Sequence, residues 1–140
     1  MRAGEIVLVD AGPLVAIFDP SDGDHEARTG ELATLGDCRL VTSLAVLTEA
    51  SYLLAFSADA QRSLIEFVAA GAIEVGEVDA ASLSRAAALM KKYEDLPMDL
   101  ADAILVVLAE RLRTTWVFTL DRRDFAAYRV GRSRFRILPE

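Results

Sequence analysis

The sequence predicts an α/β fold, a three-layer α/β/α (Rossmann-like) arrangement around a central, mostly parallel sheet of about five strands. Short apolar runs rich in β-formers alternate along the chain with longer stretches of helical periodicity. The first run, residues 6–10, lacks polar alternation, which is typical of a strand buried on both faces. With 140 residues and 53% hydrophobic content, the chain suits one core, and we expect a single domain over residues 1–140.

Five segments are predicted as strands because β-formers are grouped there between turn or capping residues. They are residues 6–10, 39–42, 73–78, 114–120 and 135–138. The third of these is weakly patterned, and we expect it at an edge of the sheet. Alternation with helices favours a parallel or mostly parallel sheet, since parallel strands need crossover connections.

The predicted helices begin at residues that cap helix N-termini, such as Ser43, Asp79 and Asp99, and one of them stops at Gly71. Pro13 suits the first position of the first helix. The predicted helical ranges are 13–18, 25–35, 44–57, 59–70, 79–93 and 99–113, with a short helix after residue 121.

Composition excludes several classes of protein. With one cysteine, Cys38, and one histidine, His25, an internal disulfide is impossible and a Cys/His zinc site is nearly so. Any metal must be bound by oxygen, which points to Mg²⁺ or Mn²⁺. No apolar run has the roughly 18 residues of a membrane span and the N-terminus lacks a signal-peptide pattern, so we expect no membrane association and a cytoplasmic location.

Acidic residues follow two predicted strands and lie on two predicted helices. Asp10 and Asp121 come at the carboxyl ends of strands, where open α/β sheets bind ligands. Asp99 and Asp102 share one face of a helical first turn, and Glu49 lies on an apolar helical face. We therefore predict that these carboxylates converge at one edge of the sheet.

Two explanations of these acids remain open from the residues alone. Asp10, Asp99 and Asp121 are also good helix caps, and Glu49 can form an ion pair with an arginine. Converging carboxylates instead repel one another and need a divalent cation to stay ionised. Such oxygen-ligand sites serve the attack of water on phosphodiesters, which favours a metal-dependent hydrolase.

Charge is distributed unevenly along the chain. The net charge is −7, yet eight arginines and two acids lie between Arg111 and Arg136. Arginine binds phosphates in a bidentate manner, so this arginine-rich end is a candidate surface for nucleic acid. The alternatives are a solvated surface or a surface for an acidic protein partner.

Four short segments, in this order and spacing, carry a family resemblance that spans essentially the whole chain. They are IVLVDAGP at residues 6–13, Thr42-Ser43 leading to Glu49-Ala50, LPMDLADA at 96–103, and TLDRRDF at 119–125. With these segments the sequence resembles PIN-domain proteins, specifically the toxin ribonucleases of VapBC-type toxin–antitoxin pairs. The resemblance implies a PIN-like fold and Mg²⁺- or Mn²⁺-dependent endonucleolytic cleavage of RNA that leaves a 5′-phosphate and a 3′-hydroxyl.

The resemblance also assigns roles to the acids. Asp10, Glu49 and Asp102 match the core metal-binding and catalytic acids of the family, and Asp121 matches a fourth acid that varies. Asp99 matches an extra metal-binding acid found in some members.

Asp124 is expected to be a helix-turn residue beside the site. We predict substrate contacts from residues in the second and fourth segments: Ser43, Thr119, Arg122 and Arg123. The partners implied are an RNA substrate, a cognate antitoxin whose C-terminal segment enters the active-site groove, and a second copy of the chain in a homodimer.

Two other functions compete with this one. A phosphatase with Asp10 as covalent nucleophile wants a second aspartate where Gly12 stands. A receiver-like phosphoacceptor domain wants a late lysine near the site, and no lysine follows Lys92. A degenerate domain that binds a partner without catalysis has no reason to retain so many costly buried acids.

Overall fold

The structure, a computed structural model, describes residues 2–140, and its centre is a parallel sheet. The strands are β1 (Ile6–Val9), β2 (Arg39–Thr42), β3 (Glu74–Val75), β4 (Trp116–Phe118), β5 (Arg129–Val130), β6 (Ser133–Arg134) and β7 (Arg136–Leu138). Five of them form the sheet in the order β3-β2-β1-β4-β7, with every pairing parallel. The predicted α/β class, the parallel sheet of five strands and the edge position of the third strand are confirmed.

Helices connect and flank the strands. They are α1 (Ala11–Phe18), α2 (His25–Thr34), α3 (Leu44–Leu53), α4 (Ala58–Ala69), α5 (Ala80–Lys92), α6 (Leu100–Leu112) and α7 (Arg122–Ala127). A side-chain oxygen at the N-cap accepts a backbone N–H at the start of six of these helices, all except α2. These caps satisfy donors that would otherwise lack partners in the first turn.

The core is built on β1 and α6. Val7, Leu8 and Val9 are fully buried, and β1 lies at the centre of the sheet, with Leu8 opposite Val41 of β2 and Val117 of β4. Helix α6 is buried along most of its length and packs on α5 and β1. Within residues 2–140, no helix has both the length and the apolar character that crossing a membrane requires.

Element boundaries differ from the prediction where local signals compete. The predicted helix over residues 44–57 ends at Leu53, and α4 begins earlier than predicted because Ser57 accepts the Ala60 N–H as a cap. The hairpin of β5 and β6 was not predicted at all. Its two-residue strands are too short to carry a periodic pattern, and its turn depends on Gly131 at a φ of 61°.

Candidate active site

A cleft of about 390 Å³ lies at the carboxyl end of β1, beside the loop that follows β4. Six of the residues that line it are acids: Asp10, Glu49, Asp99, Asp102, Asp121 and Asp124. The structure therefore brings together all five acids selected from the sequence and adds a sixth. They come from separate parts of the chain, and the parallel topology places the ends of β1 and β4 and the starts of α6 and α7 at one edge, where Glu49 of α3 joins them.

Asp10 connects the end of β1 to the start of α1. Its Oδ1 accepts the Ala11 N–H at 2.8 Å, and its Oδ2 accepts the hydroxyl of Thr119 at 2.7 Å. The side chain is buried, with 7% of the residue exposed. One carboxylate thus caps a helix and also lines the acidic cleft, so capping does not exclude a functional role.

The same arrangement occurs twice more around the cleft. Asp99 Oδ1 accepts the backbone N–H of Asp102 at 2.8 Å, and Asp121 Oδ1 accepts that of Asp124 at 3.2 Å. In each pair, an acid caps a helix and a second acid follows in the first turn. The helix N-terminus favours negative charge at both places, which partly offsets the repulsion between the carboxylates.

The tightest group of acids consists of Asp102, Asp121 and Asp124. Each of them offers a carboxylate oxygen, and these oxygens all lie within 4.8 Å of one another. The sequence interpretation placed Asp124 beside the site as a helix-turn residue; it does occupy the first turn of α7, and its carboxylate also belongs to this group. The available signal was its spacing from Asp121, which repeats the spacing of Asp99 and Asp102.

Burial and mutual repulsion disturb the protonation of the cluster. Burial, followed by the charges of Asp99 and Asp10, raises the pKa of Asp102 to about 8. The pKa of Asp10 is also raised, chiefly by burial, although its hydrogen bonds from Thr119 and Ala11 act in the opposite direction.

Two further carboxylates follow the same trend. The pKa of Glu49 is raised by burial and by the charges of Asp10 and Asp99, and that of Asp124 by burial and by its interactions with Asp121. A divalent cation among these oxygens would offset both effects, because it stabilises the ionised carboxylates. The donor set consists of carboxylate oxygens alone, which fits a hard cation such as Mg²⁺ or Mn²⁺.

Two of the predicted substrate contacts are buried. Thr119 is 0% exposed, and its hydroxyl donates to Asp10 and accepts the backbone N–H of Asp121 at 3.0 Å. Ser43 is also 0% exposed, and its hydroxyl caps α3 by accepting the Val46 N–H. In the structure these two hydroxyls hold the strand ends and helix starts in place, and Ser43 is not among the residues that line the cleft.

The arginine-rich end divides into two groups. Guanidinium groups in the first group bind other parts of the protein: Arg111, Arg122 and Arg129 donate to backbone carbonyls, and Arg136 lies over the Trp116 ring. Arg122 thereby points to Pro139 and lines a cavity next to the acidic cleft. The second group comprises Arg113, Arg123, Arg132 and Arg134, which are exposed, as are all members of the first group except the half-buried Arg129.

Tyr128 is a site neighbour that the sequence interpretation missed. It is 0% exposed, and its hydroxyl donates to Asp102 Oδ2 at 3.1 Å. The two residues are separated by 26 positions, and a lone tyrosine in a short irregular stretch carries no local signal for such a contact.

Fold and cleft together define a class of protein. The PIN domain family model matches residues 7–131, and the chain therefore belongs to the PIN domain family. It is 38% identical over 136 residues to Ribonuclease VapC26 of Mycobacterium tuberculosis (strain ATCC 25618 / H37Rv), covering 95% of this chain and all of that protein. The resemblance to VapC-type proteins stated from the sequence is confirmed.

Solved structures of VapC proteins share the fold. VapC20 of Mycobacterium tuberculosis, described as a toxin that cleaves the sarcin-ricin loop, has a TM-score of 0.77 at 19% identity, covering 86% of this chain and 94% of that one. VapBC2 of Rickettsia felis, bound to a DNA fragment from its promoter, has a TM-score of 0.69 at 14% identity, covering 94% and 98%. At these identities the likeness concerns the fold alone.

Proposed function

We propose that this chain is an endoribonuclease that uses Mg²⁺ or Mn²⁺ to hydrolyse phosphodiester bonds in RNA, and that it is the toxin of a toxin–antitoxin pair. The observation that carries the proposal is the cleft lined by six carboxylates. Its relatives point the same way, since VapC26 is named a ribonuclease and VapC20 is described as cleaving the sarcin-ricin loop.

The metal would be held by the acids of the cleft. Asp102, Asp121 and Asp124 offer three oxygens in mutual reach, and we propose that Asp10, Glu49 and Asp99 complete the ligand set around one or more ions. When bound, the cation supplies Lewis acidity that makes water a better nucleophile and stabilises the leaving oxygen of the phosphodiester. Of these acids, we propose that Asp10, Glu49, Asp102 and Asp121 are catalytic.

The protein's own contribution is to hold these oxygens in fixed positions. Asp10 has both of its oxygens in hydrogen bonds, and Asp99 and Asp121 are held at helix N-termini. A site held in advance by the fold loses little free energy to reorganisation when substrate binds.

RNA must approach a protein of net charge −7, so the distribution of positive charge decides where it binds. We propose that Arg123 contacts phosphates beside the cleft and that Arg132 and Arg134 of the β5–β6 hairpin extend this surface. We also propose that Arg122 contacts the substrate from the cavity next to the cleft. Thr119 and Ser43 act instead by holding neighbouring elements in place.

An antitoxin is the proposed protein partner. Large apolar side chains of α3 and the turn after it are exposed, with Tyr52 at 78% and Phe56 at 66%, and Leu53 lines the acidic cleft. A partner segment that covers this apolar surface would also reach the acids, which is how an antitoxin can inhibit. We also propose that the chain forms the homodimer that the resemblance implies. Analytical ultracentrifugation tests this by measuring the mass of the protein in solution.

The test is cleavage of total RNA by the purified protein with Mg²⁺, with Mn²⁺ and with EDTA. We expect metal-dependent fragments bearing 5′-phosphates, and loss of cleavage in Asp10→Asn and Asp102→Asn. The matched control is Asp95→Asn, which changes an exposed acid outside the cleft and should cleave like the wild type. Cleavage that persists in both cleft variants would overturn the proposal.

Two other outcomes would replace the proposal by one of its rivals. A trapped acyl-phosphate on Asp10 would indicate a phosphatase. Absence of both cleavage and metal binding would indicate a domain that has kept the fold to bind a partner.

A further inference from the structure

Tyr128 lies where a hydroxyl can control the geometry of one acid in the cleft. Its O–H donates to Oδ2 of Asp102 at 3.1 Å, and its ring is fully buried. Asp102 also belongs to the tightest group of carboxylate oxygens, together with Asp121 and Asp124.

The position of the phenol is fixed by an aromatic cluster. The Tyr128 ring makes edge-to-face contacts with Tyr93 at 5.1 Å and with Phe125 at 5.2 Å between ring centroids. Tyr93 in turn accepts the backbone N–H of Arg129 at 3.1 Å, which ties the start of β5 to the end of α5. The ring of Tyr128, and with it the hydroxyl, is therefore held in place from two sides.

A carboxylate with one oxygen in a fixed hydrogen bond has fewer ways to bind a cation. The bond occupies one lone pair of Oδ2 and restrains rotation of the Asp102 carboxylate, which favours binding of a cation through Oδ1. Hydrogen bonds of this kind around ligating carboxylates orient them, and removing one such partner typically lowers metal affinity about 10- to 100-fold.

We propose that Tyr128 is a positioning residue that holds Asp102 as a one-oxygen ligand and thereby sets the affinity of the cleft for a divalent cation. This inference rests on the proposed metal-dependent function and deepens it. It assigns to Tyr128 a role that is distinct from packing, although the ring also packs in the aromatic cluster.

The chain offers a matched control for the test. Tyr128→Phe removes the hydroxyl that touches Asp102 and keeps the ring. Tyr93→Phe removes a hydroxyl from the same aromatic cluster, and its lost partner is the backbone of Arg129. Both variants lose one hydrogen bond of a half-buried or buried tyrosine, so a general loss of stability should affect the two similarly.

The experiment measures Mn²⁺ binding to the full chain without RNA, by isothermal titration calorimetry and by the electron paramagnetic resonance signal of free Mn²⁺. We expect Tyr128→Phe to bind Mn²⁺ about tenfold more weakly than the wild type and Tyr93→Phe to bind within about twofold of it. Thermal unfolding in EDTA checks that both variants fold.

The outcomes separate this inference from the function on which it rests. Equal Mn²⁺ affinity in Tyr128→Phe and the wild type, even with a lower melting temperature, would assign Tyr128 to packing and overturn the inference alone. A similar loss of affinity in both variants would do the same, because it would reflect the aromatic cluster as a whole. A wild type that binds no Mn²⁺ would overturn the inference together with the metal-dependent part of the proposed function.

Discussion

Replacing Asp102 by asparagine should stabilise the metal-free protein while removing its activity. The buried, repelled carboxylate has a pKa of about 8, against about 4 in an unfolded chain. Folding therefore opposes ionisation of Asp102, and asparagine removes this conflict. The amide side chain of the variant would keep an oxygen that can accept the Tyr128 hydroxyl.

The sign of the pH dependence follows from proton binding. Below about pH 4, Asp102 is protonated in both states and the substitution changes little. Between about pH 4 and pH 8 the unfolded chain releases the proton while the folded protein retains it, so wild-type stability falls as pH rises. Above about pH 8, Asp102 is ionised in both states, and the difference in stability between the variant and the wild type stays constant.

The gain in stability of Asp102→Asn has an upper limit that the raised pKa of Asp102 sets. The difference of about four pKa units between the folded and the unfolded chain corresponds to at most about 6 kcal/mol of folding free energy. The cleft is open to water and counterions, which screen part of the repulsion, so we expect Asp102→Asn to gain about 2 kcal/mol above pH 8. For a domain of this size, that gain raises the melting temperature by roughly 6 °C.

The assay is thermal and urea unfolding, followed by circular dichroism in EDTA, at several pH values from about 4 to about 9. The control is Asp95→Asn, whose exposed side chain should change stability by less than about 0.5 kcal/mol at every pH. A lower stability of Asp102→Asn than of the wild type at about pH 9, or a gain in stability that does not grow with pH, would refute this explanation.

Three further predictions concern the hydroxyl beside the cleft, a tight contact in the core and metal binding. Thr119→Val should lower the free energy of unfolding in urea by about 1–3 kcal/mol, because it leaves a buried carboxylate oxygen of Asp10 without a donor. The control Thr48→Val, at an exposed position, should lower it by less. Equal losses in the two variants would contradict this. Gly76→Ala should cost roughly 1–3 kcal/mol, since its Cβ would lie 2.7 Å from Cδ2 of the buried Leu108. Gly30→Ala, inside α2 with open space around it, should instead gain up to about 1 kcal/mol, and the same sign for both glycines would count against the packing described. Mn²⁺ at about a hundredfold its dissociation constant should stabilise the protein by about 2.7 kcal/mol, reversibly with EDTA, and an unchanged melting temperature would exclude specific binding.

The fold was predictable because its signals are local. The apolar runs of β1 and β4 have no polar alternation, which is typical of strands buried on both faces, and both strands lie inside the sheet. Helix starts were readable at Ser43, Asp79 and Asp99, since a capping side chain bonds to the backbone a few residues away.

Most of the acidic cleft was predictable for a topological reason. Parallel strands end at one edge, so acids that follow strands, such as Asp10 and Asp121, meet there whatever the details of packing. Glu49 was found because a carboxylate on an apolar helical face requires an explanation.

The tertiary structure alone decided which oxygens lie closest and what supports them. It placed Asp124 in the tightest group, buried the hydroxyls of Ser43 and Thr119, and turned Arg122 toward Pro139. It also brought Tyr128 onto Asp102. Each of these depends on contacts between distant parts of the chain or on the direction of one side chain, which neither periodicity nor spacing encodes. Local sequence therefore determined where the acids collect, and packing determined how their oxygens are held.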